Sequence, residues 1–333
     1  MFKKIKRKIK QQLGSLILPF WPQGLYYFGF SGHVIIEATN SCNLRCRFCP
    51  TWQSMKRAKG FMSLENFKKI IDQDGGIIKN IDMNFAGEPT LNPDVFKMVK
   101  YASQNGINVL ISTNTTLIQN FSFAEIFDSG LKSLIVCLDG TTAEVYLQHR
   151  QGGDFEVVKE NIKKLCEEKK KRQLEFPIIS LQFVVTKNNE KQIPEIIKLA
   201  KDVGVNNLNL KTLSLGSFVD LGKKLELAKE YLPNDNEYSR FEIKDDKVSL
   251  KSRPKYCSWL RQTVIFWNGD VTMCCYDYNG DMTVGNVFTG GGLKAVLKSA
   301  KYKKYRKLAI KRQLKLCQNC NLTSDYGKTI RFN

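Results

Sequence analysis

Apolar, β-branched runs recur along the chain at residues 34–38, 79–86, 107–112, 131–138, 178–186 and 205–211. Between them lie segments with helical apolar spacing at 64–74, 93–105, 122–129, 154–173 and 190–203. Strand-length runs alternating with helix-length periods predict βα units, and so a parallel sheet covered by helices. Six such units curl readily into a partial TIM-like (β/α)6 barrel, whose ligands gather at the carboxyl ends of the strands. The expected fold class is α/β, with this barrel over residues 30–212.

The pattern changes after residue 212. Lys223 to Pro254 is polar and turn-rich, which predicts a bridge over residues 213–256. Beyond it, Thr263–Trp267 and Asp270–Cys275 alternate on either side of Asn268-Gly269, the dipeptide most favoured in two-residue hairpin loops. Leu293, Val296, Leu297, Tyr302, Tyr305, Leu308, Ala309 and Leu316 then recur at helical spacing, as in a docked surface helix. At the other end, Phe2, Ile5, Ile9, Leu13, Leu16 and Ile17 share one face of an amphipathic helix within residues 1–29. Such a helix closes the bottom of the barrel or lies on a membrane surface through residues 1–18.

Composition narrows the class. The chain has 333 residues, 42% of them hydrophobic, which is two units of ordinary globular character rather than a disordered chain. It contains no apolar run long enough to span a bilayer. The apolar stretch from Leu16 to Trp21 is short, is broken by Pro19 and lacks a small-residue cleavage site, so it is not a signal peptide. A cytoplasmic location is expected, peripheral at the inner membrane surface if the first helix meets lipid. The net charge of +20 is uneven, with six basic side chains in residues 3–10 and ten, with no acid, in residues 293–315. Such patches favour an anionic partner.

Ten cysteines carry the chemistry. Cys42, Cys46 and Cys49 form a C-x3-C-x2-C run just after the first predicted strand. Three thiolates on one tight loop can hold three irons of a [4Fe-4S] cube and leave the fourth open to another ligand. Zinc is the competing metal, but no fourth ligand follows nearby. A second set, Cys257, Cys274 or Cys275, Cys317 and Cys320, supplies four thiolates from three segments, enough for a complete Fe-S or zinc site. Strand alternation predicts that only one of Cys274 and Cys275 faces that site. Cys166 falls inside a helical period and reads as a small buried hydrophobe. His33 and His149 receive no functional assignment.

The first run resembles the motif of the radical S-adenosylmethionine (SAM) superfamily, in which the amino and carboxylate groups of SAM chelate the open iron. Further segments resemble that superfamily in register behind the cysteines. Ala86-Gly87-Glu88-Pro89 stands where relatives carry Gly-Gly-Glu-Pro, which implies that Gly87 and Glu88 receive the methionine amino group. Ser112-Thr113-Asn114 ends the third strand as Thr-Asn-Gly does, with Thr115 in place of the glycine, and Asn114 becomes a polar contact. Cys137-Leu138-Asp139-Gly140 resembles Ser-Leu-Asp-Gly, which offers Asp139 to a ribose or substrate hydroxyl. Arg150 lies where relatives place an arginine for the SAM carboxylate, and Phe48 resembles the aromatic that shields the cluster beside adenine.

The second cysteine set, with Gly269-Asp-Val271, Gly285-Asn-Val287 and the closing C-x2-C, resembles the SPASM and twitch families of radical SAM enzymes. The resemblance implies a small C-terminal twitch/SPASM-type domain over 257–333 with one auxiliary [4Fe-4S] cluster, since no cysteines are left for a second. It also implies a radical SAM oxidoreductase that cleaves SAM to a 5′-deoxyadenosyl radical and abstracts hydrogen from its substrate. By likeness to twitch members resembling 2-deoxy-scyllo-inosamine dehydrogenase, that substrate is a small polyol or sugar whose alcohol is oxidised, phosphorylated where the basic patches act on it. The auxiliary cluster then accepts an electron, and a donor such as flavodoxin or ferredoxin supplies the first one. Two rivals stand beside this reading. One is a peptide-modifying maturase; the other is a non-catalytic Fe-S or zinc protein that binds nucleic acid, which would not need Gly87, Glu88 and Arg150 in register with the cysteines.

Overall fold

A computed structural model describes residues 30–216, 221–254, 257–318, 320–324 and 326–332. The expected amphipathic segment over 1–29, with its membrane contact, lies outside the described residues. From residue 30 the chain alternates strands and helices: β1 (His33–Ile36), α1 (Pro50–Gln53), α2 (Leu64–Asp74), β2 (Asn80–Met83), α3 (Val95–Gln104), β3 (Asn108–Thr113), α4 (Phe123–Phe127) and β4 (Ser133–Cys137). It continues through α5 (Ala143–His149), α6 (Phe155–Lys171), β5 (Ile178–Val185), α7 (Ile193–Val203) and β6 (Asn207–Thr212). Local chemistry sets several helix ends. Ser63 caps α2 through the Asn66 amide, Ser122 and Glu125 form a reciprocal capping box on α4, and Gly204 closes α7 with φ 81°.

Strands β1 to β6 pair in parallel and in sequence order. The result is the partial barrel expected of this pattern. Alternation along each strand divides the sheet into two faces. Val34, Ile36, Ile81, Met83, Val109, Ile111, Leu134, Val136, Leu181, Phe183, Leu208 and Leu210 pack outward against the helices as one core. Their neighbours Ile35, Asp82, Leu110, Ser112, Ile135, Cys137, Gln182, Asn209 and Lys211 share the inner face by register. The inner face is thus the more polar one, and it lines the chamber.

The stretch read as a turn-rich bridge contains regular structure, a helix α8 (Leu221–Tyr231) and a hairpin of β7 (Phe241–Lys244) and β8 (Lys247–Leu250). Its apolar residues Leu213, Leu215, Ala228, Tyr231 and Phe241 form a small second core with Phe48 and Val184 against it. Polar composition hid this element because its core draws on partners outside the segment. The predicted hairpin forms as β9 (Gln262–Ile265) and β10 (Asp270–Thr272), with Gly269 at φ 86°. It joins the sheet: β9 pairs in parallel with β1, and β11 (Gly285–Asn286) follows β10. The basic stretch forms α9 (Gly292–Lys298) and α10 (Ala300–Ile310), divided at Ser299, which caps the second helix through the Tyr302 amide. After α11 (Lys315–Gln318), strand β12 (Gly327–Arg331) pairs antiparallel with β6. The ten-stranded order is β11-β10-β9-β1-β2-β3-β4-β5-β6-β12.

Candidate active site

The first cysteine run leaves β1 and returns at α1, and its loop is tied at both ends. Asn40 is wholly buried; its Nδ2 donates to the Ala58 carbonyl at 2.8 Å and its Oδ1 accepts from the Gly60 amide at 2.9 Å. Lys59 Nζ donates to the carbonyls of Asn40 and Thr51, at 2.9 and 3.1 Å, and so clips the two ends of the loop together. Cys42, Cys46 and Cys49 stand within electrostatic reach of one another. Burial pushes the Cys42 thiol up to about 12, with Glu88 and the other thiols adding to the effect against the Leu44 amide. Burial also pushes Cys46 up to about 11, although the neighbouring Arg150 guanidinium pulls it down. Both are neutral thiols near pH 7, and a bound cation would convert them to thiolates.

Gly87 lies against this loop with φ 76°, and a Cβ there would stand 2.4 Å from the Thr39 carbonyl and 2.5 Å from that of Ser41. Only glycine fits, because its backbone packs directly against the carbonyls that lead into the cysteine loop. Glu88 is buried, and four protein donors reach its carboxylate: the Thr90 amide at 3.0 Å, the Thr90 and Thr113 hydroxyls at 2.7 Å, and the Asn114 amide at 2.7 Å. Three of these reach Oε1 and one reaches Oε2, so the carboxylate locks the end of β2 to the end of β3 and Oε2 keeps room for one further donor. Asn114 donates through Nδ2 to Asn43 Oδ1 at 2.9 Å and lies 3.9 Å from Cys42 Sγ. Thr115, where the motif has glycine, takes the glycine-like φ of 68°.

On the opposite side Asp139, buried at the end of β4, accepts from Arg150 Nε at 2.6 Å and from the Val184 amide at 2.7 Å. Arg150 extends Nη1 to 3.8 Å from Cys46 Sγ, so it bridges Asp139 to the cysteine loop. Burial opposes its charge, but Asp139 and the surrounding thiols hold it well above its ordinary value. Phe48 stacks on His149, with centroids 5.4 Å apart, and meets Tyr231 edge-on at 4.8 Å. It therefore joins the cysteine loop to α5 and α8.

The second cysteine set is drawn from three segments. Cys257 precedes β9, Cys274 and Cys275 follow β10, and Cys317 and Cys320 precede β12. Cys317 lies within electrostatic reach of Cys274, Cys320 and Cys257, and Cys275 within reach of Cys274, Cys257 and Cys320. The alternation expected to choose between Cys274 and Cys275 does not apply, because β10 ends at Thr272 and both cysteines sit in the following turn. A hydrogen bond from the Cys275 thiol lowers Cys274, while burial raises Cys275. Among the described residues, no three His, Cys, Asp or Glu side chains are gathered as for a single bound ion.

Comparison with known proteins agrees with this arrangement. The Radical SAM superfamily description matches residues 36–212, and a second, "Iron-sulfur cluster-binding domain" (SPASM), matches residues 257–321. The chain belongs to the radical SAM superfamily. It is 32% identical over 186 residues to a tungsten-containing aldehyde ferredoxin oxidoreductase cofactor-modifying protein of Pyrococcus furiosus, an alignment covering 54% of this chain and 51% of that one. The mycofactocin maturase MftC of Mycobacterium tuberculosis is 24% identical over 308 residues, 85% of this chain and 74% of the relative. The chain thus spans about half the length of the first of these relatives. Among solved structures, BtrN in complex with AdoMet and 2-DOIA superposes with a TM-score of 0.57 at 18% identity, over 89% of this chain and 94% of that chain, which shows a shared fold.

Members of the superfamily bind a [4Fe-4S] cluster and SAM, and the SPASM domain binds auxiliary Fe-S clusters. The residues of this radical SAM chain fit those groups on the chemistry of the donor set: two sets of thiols, each within electrostatic reach of its own members and none in a disulfide. The match to an iron-sulfur domain favours iron over zinc at the second set.

Several residues in this site have no signal in the local sequence. Arg57 grips the wholly buried Glu37 with Nη1 at 2.9 Å and Nη2 at 2.6 Å, and donates Nε to the Tyr278 carbonyl at 2.7 Å. Asn279 Oδ1 accepts from the Lys56 amide at 2.7 Å. The turn after Cys275 is thereby fastened to the segment after Cys49. The Tyr278 ring stacks on Phe85 at 5.2 Å and is an electrostatic neighbour of both Cys49 and Cys275, so it stands between the two thiol sets.

Proposed function

We propose that this protein is a radical SAM oxidoreductase in which Cys42, Cys46 and Cys49 hold the SAM-binding [4Fe-4S] cluster and the thiols of Cys257, Cys274 or Cys275, Cys317 and Cys320 hold one auxiliary cluster. The observation that carries the reading is the presence of two thiol sets, each within electrostatic reach of its own members, with Tyr278 in reach of both. When bound, these groups would supply hydrogen-atom abstraction through a 5′-deoxyadenosyl radical and a one-electron acceptor for the oxidised substrate.

The chain's own residues prepare the site. Lys59 and Asn40 fix the cysteine loop, and Glu88 sets the spacing of β2 and β3, leaving the backbone beside Gly87 to meet the methionine amino group. Arg150, held by Asp139, presents its guanidinium beside Cys46, where a carboxylate would be met by paired donors. Asn114 offers a further polar contact beside Cys42. Phe48, His149 and Tyr231 form an aromatic wall that excludes water from the cysteine loop.

The leading substrate is a small polyol or sugar whose secondary alcohol becomes a ketone, with two electrons and two protons leaving it overall. Its support is the BtrN-like fold, shared over nearly the whole chain, and a second thiol set sized for one cluster. A peptide substrate is the second reading, favoured by the match to a maturase over 85% of the chain. A donor such as flavodoxin or ferredoxin is the proposed redox partner. The test is 5′-deoxyadenosine formation by anaerobically reconstituted protein with SAM and a strong reductant, beside a Cys42, Cys46 and Cys49 to Ala triple variant. The product appears only with the intact triad if the reading holds. Protein that neither holds iron at the triad nor binds SAM refutes it. Deuterium transferred from labelled polyols or from labelled peptides into 5′-deoxyadenosine then separates the two substrates.

A further inference from the structure

The inner face of β6 ends in a group of cations at the carboxyl end of the sheet. Lys211 follows Asn207 and Asn209 on that face, while Leu208, Leu210 and Thr212 are buried on the other. It is half-buried, and its ammonium lies 5.8 Å from the centroid of the Tyr326 ring. Arg240 lies 5.4 Å from the same ring and is itself buried, donating to Thr212 Oγ1 at 2.9 Å and to the Thr212 carbonyl at 2.7 Å. Lys224 joins from α8, donating to Asn321 Oδ1 at 3.3 Å. The auxiliary thiols adjoin this group, since Tyr276 and Tyr326 both lie within electrostatic reach of Cys275, Cys320 and Arg240.

Two features of the group are unusual. Among the described residues, neither Lys211 nor Lys224 forms an ion pair with a carboxylate, and burial lowers the proton affinity of both. Asn321 is 1% exposed, and its Nδ2 is a buried donor with no hydrogen-bond partner among the described residues. An unpaired buried donor and partly desolvated ammonium groups each cost stability, and a ligand bearing negative oxygen atoms offsets both costs at once. These three groups, two ammoniums and an amide, are all donors. A neutral hydroxyl would satisfy one of them and leave the charge unmatched.

We propose that Lys211, Lys224 and the Nδ2 amide of Asn321 form an anion-recognition subsite at the auxiliary-thiol end of the chamber, which takes the carboxylate or phosphate of an acidic substrate. The proposal deepens the functional reading above and rests on it only in taking the chamber as the substrate site. It places the anionic group of the substrate at β6 and leaves the reacting carbon toward the first cysteine loop.

The test is calorimetric titration of the anaerobically reconstituted full chain with inorganic phosphate and, separately, with malonate. Lys211→Met, Lys211→Arg, a Lys211→Met/Lys224→Met double variant and the exposed helix-face control Lys163→Gln are compared. The tighter of the two probes names the preferred anion. Loss of one charge-assisted contact predicts weakening by about tenfold or more in Lys211→Met, a larger loss in the double variant and recovery in Lys211→Arg. Lys163→Gln keeps wild-type affinity. Equal affinity in wild type and Lys211→Met overturns the proposal, as does an equal loss in Lys163→Gln or the binding of neither anion by wild type. Retention of radiolabelled SAM is measured on the same samples. Wild-type protein that retains SAM but takes neither anion sinks the subsite and spares the radical SAM reading; anion binding without iron or SAM does the reverse.

Discussion

Replacing Arg57 with methionine tests whether the clasp between the two halves of the site is built as described. Arg57 is 12% exposed at its side chain and Glu37 is not exposed at all, and two hydrogen bonds join them. Without the guanidinium, the carboxylate keeps the Trp267 amide, at 3.2 Å, as its remaining described donor. A buried charge stripped of its partner costs about 3–5 kcal/mol. Loss of packing of the guanidinium, 3.8 Å from the centroid of Phe266, adds to this. Spread over 333 residues, an unfolding entropy of about 2.1 cal/mol/K per residue gives about 0.7 kcal/mol per kelvin, so the midpoint falls by about 4–7 °C. Thermal unfolding followed by tryptophan fluorescence reads this directly, because Trp267 adjoins Glu37.

The double variant Glu37→Met/Arg57→Met separates the pair from the packing. With neither charge to desolvate, it should regain most of the loss, with a coupling energy of about 2–3 kcal/mol between the two sites. A cost below about 1 kcal/mol in Arg57→Met would refute the argument. So would a double variant no more stable than the sum of the single changes. Either result would mean that the segment after Cys49 and the turn after Cys275 are held together by other contacts.

Gly87→Ala should weaken SAM retention by about tenfold or more, since its Cβ would meet two carbonyl oxygens at a positive φ; equilibrium dialysis checks it, and unchanged retention removes the glycine from the site. Burial pulls His149 from 6.5 down to about 4, with Arg150 pulling the same way and Asp139 against them. The unfolded chain therefore binds the proton first, and the stability contributed by the neutral ring is complete above pH 6.5 and fades as pH falls toward 4, by about 2 kcal/mol at pH 5. Urea midpoints of the apoprotein at pH 7 and 5 should show the fall in wild type and a flatter profile in His149→Gln. Iron per chain should drop in Cys257→Ala and Cys320→Ala but not in Cys166→Ala, whose thiol lies 6% exposed in the helix-facing core and is pushed by burial up to about 12.

The sequence makes the βα alternation readable because each barrel strand carries an uninterrupted apolar face toward the helices, and that face is locally encoded. The six expected strands all form, with ends shifted by at most three residues. Strand β12 could not be read this way. Gly327-Lys-Thr-Ile-Arg331 is mostly exposed, and only its pairing with β6 makes it a strand. The parallel pairing of β9 with β1 is likewise a tertiary fact that no hairpin signal contains. The cysteines were legible because their spacing is local chemistry. Lys59, Arg57, Tyr278 and Lys211 were not, because their meaning lies in which carbonyl, carboxylate or thiol the fold brings to them. Glu88 shows a second layer: beside the ligand contact that the motif points to, the structure adds donors from Thr90, Thr113 and Asn114 that tie two strand ends together.

The two cysteine sets can serve one chamber only if the sheet closes, and its pairing gives a measure of that closure. Between β10 and β12 lie eight strand-to-strand steps, a span of about 38 Å in a flat sheet at about 4.8 Å per step. Yet Cys275, three residues beyond β10, and Tyr326, immediately before β12, are electrostatic neighbours. The few residues between these groups and their strands reach less than half that span when fully extended, at about 3.5 Å each. The sheet must therefore curl until β10 and β12 come near each other. What lies between them is the second thiol set, contributed by the segments before β9, after β10 and before β12. Assembly of that set and closure of the chamber are then one structural event. This places the cation group of β6 beside the auxiliary thiols.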